Sequence, residues 1–244
     1  MKSVDKKEVI SSQSAEFIQQ VEEGVHAKMI PDTFIIKMEN GAQGYAIRHL
    51  NRQDLLLIDT TKKGADKAIK HLVEEGYRIK GILVTHKEAL QNTYAPLKTI
   101  SEEAGGAKIY SHPVNNTDSS FEVKNIFSKN DLYEHFSIEV SDFPAISGET
   151  AVIYSDINGG MVFAGNSVVA TPYDQEGDEL KRPNTGSENK DLAIAENWRT
   201  YTREFQYFFP YKGKPKFNLS DGQQKDILTK LGNSEYPGGG NPNL

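Results

Sequence analysis

The chain has 244 residues, enough for one large domain or two small ones. Hydrophobic residues make up 37% and the net charge is −6, so a core carries much polar surface, and a nucleic-acid backbone, which needs concentrated Lys and Arg, is not the expected main partner. Cysteine is absent, which excludes disulfides, thiolate-bound zinc and a thiol nucleophile.

Residues 1–25 are polar and helix-prone, with Phe17, Ile18 and Val21 as a small apolar stripe. This stretch lacks the apolar core of a signal peptide. No segment approaches the roughly 20 apolar residues of a membrane span. A soluble chain with no membrane partner is expected; the cytoplasm is the default compartment, with export and removal of a signal peptide as the alternative.

Strand-like runs follow at 33–39 (TFIIKME), 44–50 (GYAIRHL) and 54–60 (DLLLIDT), punctuated by Asn40-Gly41 and Asn51-Arg52-Gln53. They read as an antiparallel meander. The period then changes. Ala65, Ala68, Ile69, Leu72 and Val73 form the apolar face of a helix over 63–75, closed by Gly76. GILVT (81–85) is an apolar run without polar alternation, the pattern of a strand covered on both faces. A second helix over 93–104 and a strand at 107–112 complete two successive βαβ units.

The middle of the chain returns to strands at 119–123, 135–143, 150–157 and 160–169, with Asn158-Gly159-Gly160 as a hairpin turn. Residues 171–190 are almost wholly polar and read as a long loop. Trp198, Tyr201, Phe205 and Phe208 predict a core-facing helix over 191–208. A short helix at 221–231 and a Gly/Pro/Asn-rich tail at 232–244, expected to be disordered, close the sequence. The order predicts a single α/β sandwich domain over 1–231.

LLLIDT, then a helix, then ILVTH resembles the metallo-β-lactamase fold superfamily from about Thr33 to Pro215. The resemblance implies an αββα sandwich of two mixed sheets flanked by helices. In that family the second strand ends in Thr-His-x-His-x-Asp-His. Here Thr85 and His86 match, but Glu88, Leu90 and Gln91 stand where His, Asp and His belong. FPAISGET (143–150) is similar to a later segment and has Ile146 in place of a metal-binding His. VFAGNSVV (162–169) places Asn166 at the metal-bridging Asp. FFPYKGKP (208–215) places Lys212 at the last His.

Of seven ligand positions the resemblance defines, only His86 keeps the family residue. Zinc chemistry of this kind needs three or four converging ligands that lower the pKa of a bound water to about 7. Neither zinc nor another divalent cofactor is expected; the competing reading is a single weak metal at His86, Glu88 and an outside residue such as His112. Asp59 is expected to brace its neighbouring loop through backbone N–H groups, and His86 to cap the strand end or bond a loop carbonyl. His26, His49, His71 and His135 have no ligand spacing. No Gly-x-Ser-x-Gly elbow, Walker loop or dinucleotide fingerprint is present.

The candidate cleft residues are therefore Asp59, His86, Glu88, Asn166 and Lys212. The leading expectation is a metal-free, non-hydrolytic protein of this fold that binds a small molecule or a protein partner. The alternative is a hydrolase of esters, lactones or phosphodiesters, with an altered mononuclear site or a metal-independent Glu/His/Lys set.

Overall fold

A computed structural model of the chain describes residues 21–115, 121–145 and 148–233. Most of the expected N-terminal polar helix, Ile146 and the tail from residue 234 lie outside the described residues. The first sheet has seven strands in chain order: β1 (His26–Ile30), β2 (Thr33–Lys37), β3 (Gln43–Arg48), β4 (Asp54–Ile58), β5 (Arg78–Val84), β6 (Lys108–Ser111) and β7 (Lys124–Asn125). β1 to β4 run antiparallel, and β4 to β7 run parallel. Helix α1 (Ala65–Glu74) crosses from β4 to β5. The turn α2 (Lys87–Leu90) and helix α3 (Leu97–Glu103) cross from β5 to β6.

A short helix, α4 (Asp131–His135), leads into the second sheet. Its strands β8 (Ile138–Ala145), β9 (Gly148–Ser155), β10 (Met161–Gly165) and β13 (Tyr207–Pro210) lie in the order β13-β10-β9-β8. Only β10 and β13 pair in parallel, so both sheets are mixed. β11 (Val169–Ala170) and β12 (Leu180–Lys181) make a small ribbon inside the polar stretch after β10. Helices α5 (Glu188–Arg199) and α6 (Asp221–Gly232) complete the chain. Ser220 and Gln223 form a reciprocal capping box that starts α6.

Three apolar layers hold these elements together. Ile36, Leu57, Ile82 and Ile109 of the first sheet pack against Ala68, Ile69 and Leu72 of α1 and Ile100 of α3. Ile35, Tyr45, Leu56 and Leu83 face Ile153, Phe163 and Phe209 between the sheets. Val162 and Phe208 pack outward on Ile194 and Trp198 of α5 and Leu231 of α6. The result is the expected helix–sheet–sheet–helix sandwich. Each fully buried large side chain contributes about 1.5–3 kcal/mol.

Several boundaries differ from the sequence expectation. The aromatic helix over 191–208 ends at Arg199, and Tyr207–Pro210 is a strand. Tyr207 and Phe209 enter the inner core while Phe208 enters the outer one. That is the two-residue alternation of a strand buried on both faces. The run at 160–169 breaks at Gly165, and the run at 119–123 is replaced by the two-residue β7; residues 119 and 120 lie outside the described set. Val73 sits at the edge of its helix face and is 42% exposed. The hairpin turn is as expected: Asn158, Gly159 and Gly160 all have positive φ. A Cβ on Gly160 would lie 2.3 Å from the carbonyl oxygen of Glu204, so the chain before β13 requires glycine there.

Candidate functional site

The carboxyl ends of β4, β5, β10 and β13 meet at one edge of the sandwich. Asp59 follows β4 in the left-handed region, with φ +52°. Thr85 and His86 follow β5, Asn166 follows β10, and Tyr211 and Lys212 follow β13. Backbone bonds tie the two sheets here. Ala151 N–H donates to the Thr85 carbonyl at 2.7 Å and Gln43 N–H to Tyr211 at 2.8 Å, while Tyr211 N–H donates to Gly165 at 3.1 Å within the second sheet. Gly165 (φ +54°) passes so close to the threonines that a Cβ would lie 2.6 Å from Thr85 Oγ1 and 2.7 Å from Thr150 Oγ1.

Asp59, Thr85 and His86 form a buried relay. Asp59 Oδ1 accepts from the Thr85 N–H at 2.7 Å, and Oδ2 accepts from the Thr85 hydroxyl, also at 2.7 Å. The same Oγ1 lies 2.8 Å from His86 Nδ1. A hydroxyl has one proton, so while Thr85 donates to an ionised Asp59 it must accept from His86 Nδ1–H. His86 Nε2 then carries a lone pair. Burial pushes Asp59 up to about 7; the Thr85 bonds oppose this and the Glu88 charge adds to it. Burial, followed by the charges of Lys212 and Lys62, pushes His86 down to about 3. The imidazole is therefore neutral at physiological pH.

Above the relay lies an ion pair. Lys212 Nζ donates to Glu88 Oε1 at 2.6 Å, and both side chains are about half exposed. The same ammonium is 5.6 Å from the centre of the Tyr211 ring, which meets His86 edge-on at 4.4 Å between centroids. The turn carrying Glu88 is anchored from below, where the Thr61 hydroxyl donates to the Ala89 carbonyl and Lys62 Nζ to that of Gln91. Leu90 packs on the helix-side core. Asp59, His86, Glu88 and Lys212 thus meet around one locus, and Asn166 follows Gly165, which packs on Thr85 and Thr150.

Four buried polar atoms at this edge have no protein partner: His86 Nε2, Thr150 Oγ1, Asn166 Oδ1 and Tyr211 Oη. Two are hydroxyls able to donate, and two are acceptors in the assigned tautomer and amide orientation. All are neutral, because burial, with the charges of Asp59, Glu88 and Glu39, pushes the Tyr211 phenol up. Thr150 and Tyr211 carry no mark in the sequence; they follow only from the pairing of His86 with Thr150 and the contact of Tyr211 with His86. Of the two expectations for His86, its Nδ1 bonds the Thr85 hydroxyl just past the end of β5 and not a loop carbonyl.

These residues do not fit the metal centre implied by the resemblance. His86 offers one imidazole nitrogen, Glu88 is bound to Lys212, and Asn166 is a neutral amide. Two ammonium groups act on His86 where a dication would need carboxylates. Among the described residues, no three His, Asp or Glu side chains are grouped to hold a metal ion. His112, the expected outside ligand, instead faces Asp142 at 3.4 Å and packs on Phe127. His26 contacts Glu75, His71 packs beside His26, and His49 stacks on His135.

No sequence-family profile matches the chain, and no curated protein sequence matches it. Solved structures do. The chain is similar to the crystal structure of DIM-1 metallo-β-lactamase, with TM-score 0.60 and 16% identity over 85% of this chain and 96% of that one. A metallo-β-lactamase from Pontibacter korlensis gives TM-score 0.60 and 13% identity, covering 86% and 99% of the two chains. The mono-zinc form of FIM-1 from Pseudomonas aeruginosa gives 0.55 and 15%, covering 85% and 94%. The chain has the metallo-β-lactamase fold, in a divergent form. Among the described residues no helix is long and apolar enough to cross a membrane.

Proposed function

We propose that this chain is a metal-free, non-hydrolytic protein of the metallo-β-lactamase fold that binds a small polar molecule at the edge formed by His86, Thr150, Asn166 and Tyr211. One observation carries the reading: four neutral hydrogen-bonding atoms without protein partners lie buried at this edge, two of them, on His86 and Asn166, at positions the resemblance gives to metal ligands. Leaving such an atom unpaired costs about 1–3 kcal/mol, which a ligand with complementary donors and acceptors would recover. The Glu88–Lys212 pair supports it, because it balances charge at two former ligand positions without a metal. Elemental analysis of purified chain, with a screen of esters, lactones and phosphodiesters, tests the reading. The expected result is well under one metal per chain and no turnover that His86→Ala abolishes. Stoichiometric zinc, iron or manganese whose chelation removes an activity would overturn it.

The relay favours a second reading, a metal-independent hydrolase in which His86 Nε2 takes a proton from a water or hydroxyl, with Asp59 and Thr85 fixing the tautomer. Turnover that survives chelation and is lost in both His86→Ala and Thr85→Val would establish it.

A further inference from the structure

The sandwich has a second concavity, at the other end of the same parallel strands. It has a volume of about 620 Å³, within the size range of small-ligand sites. Asp54 opens β4, Lys80 lies near the start of β5 and Lys108 opens β6, so the strands' own length separates this cavity from the His86 edge, roughly 15–20 Å at 3.3 Å per residue. Arg52, Lys80 and Lys108 line it, and none of the three is in an ion pair among the described residues. They reach it from three separate segments. Two carboxylates also line it. Asp54 accepts from Arg78 Nε at 2.7 Å, faces His135 Nε2 at 3.3 Å and also feels the Lys80 charge, so the lining sets three cations against the two carboxylates of Asp54 and Asp131. A net positive hollow stands out on a chain of charge −6. Tyr110 and Leu132 form part of its wall. Gly105 and Gly106 leave its rim open, with no atom within 4 Å of where their Cβ atoms would sit.

We infer that this cavity is a binding site for a small phosphomonoester. Three cations lining one hollow suit a tetrahedral dianion better than a planar carboxylate, and the aromatic and apolar wall suits a compact organic group attached to it.

The test is isothermal titration of the full chain with phenyl phosphate and with inorganic phosphate. Saturable one-site binding is expected, tighter for phenyl phosphate. Each cation removed should weaken it about tenfold, so Lys80→Ala with Lys108→Ala loses about a hundredfold. Lys98→Ala, an exposed lysine outside the cavity, and Lys212→Ala, at the opposite edge, should leave the affinity unchanged. Circular dichroism of each variant separates lost binding from lost fold. Absence of saturable binding, or equal weakening by Lys98→Ala or Lys212→Ala, would overturn the assignment. Co-sedimentation with phosphatidic-acid vesicles that the double variant abolishes, without binding of free phenyl phosphate, would overturn it in favour of a lipid headgroup.

Discussion

Asp59 and His86 lie 3.9 Å apart and are joined through one hydroxyl, that of Thr85. Both are fully buried, and burial moves them in opposite directions, Asp59 up to about 7 and His86 down to about 3. Unfolded, they titrate near 3.9 and 6.5. Between about pH 4 and 7 the folded Asp59 holds a proton that the unfolded chain releases, so its contribution to stability falls as pH rises. Between about pH 3 and 6.5 the unfolded chain protonates His86 and the folded one does not, so that contribution rises with pH. Over pH 4–6.5 the two oppose each other. Asp59→Asn should therefore gain stability relative to wild type as pH rises through this window, and His86→Gln should lose it, each by up to about 1.4 kcal/mol per pH unit. Urea denaturation at half-unit steps reads both slopes; curves parallel to wild type for both variants would show that neither group titrates as stated.

The same hydroxyl makes the relay reversible. When Asp59 is ionised, Thr85 donates to it and His86 carries its proton on Nδ1. When Asp59 is protonated, it can donate to Thr85 Oγ1, whose own proton then turns to His86 Nδ1, and the imidazole proton moves to Nε2. The cleft would meet a ligand with an acceptor above about pH 7 and a donor below it. Nitrogen chemical shifts of His86 should show the Nδ1–H form at pH 8 and the Nε2–H form at pH 6. One tautomer at both values would rule the reversal out.

Gly165 and Gly76 both have positive φ, +54° and +88°, yet differ in what surrounds them. Nothing lies within 4 Å of a Cβ at Gly76, the residue that closes α1, whereas Gly165 is pressed between the hydroxyls of Thr85 and Thr150. Gly76→Ala should cost about 1 kcal/mol from backbone strain alone. Gly165→Ala adds a steric conflict and should cost about 2–4 kcal/mol. Equal losses in denaturant titrations would mean that the packing of β10 against the threonines adds nothing.

How much of this was legible in the sequence follows from how local each signal is. The apolar face of α1, the strand before His86 and the Asn158-Gly159-Gly160 turn are set by neighbours in sequence, and their patterns are explicit. The stripe Trp198, Tyr201, Phe205 and Phe208 fails as one helix because Phe208 belongs to Tyr207–Pro210, a strand buried on both faces whose aromatic run shows no polar alternation and so no readable period. The candidate cleft was legible in part. His86, Asp59, Glu88 and Lys212 stand at positions a motif can mark, but Thr150 and Tyr211 arrive by strand pairing from residues 64 and 125 positions further along than His86. The cationic hollow has no motif at all, because Arg52, Lys80 and Lys108 meet only when parallel strands align their starts.

The Glu88–Lys212 contact joins the turn after β5 to the loop after β13, yet its half-exposed setting limits its worth. Lys212→Ala should cost less than about 1 kcal/mol in stability. Its effect on His86 should be clearer, since Lys212 is the leading charge that holds the imidazole down after burial. Removing it should move the His86 titration toward higher pH, read by nitrogen or proton chemical shifts. The stronger consequence concerns the frame itself. Glu88→His, Asn166→Asp and Lys212→His together, added to His86, place four ligand-type side chains at the edge and remove one of its two ammonium groups. If the strand ends still present these positions toward one point, the triple variant should retain zinc through dialysis, with higher thermal stability in zinc than in chelator, because an ion that binds only the folded chain stabilises it. A triple variant that folds but holds no more zinc than wild type would show that the edge has diverged in geometry as well as in residues.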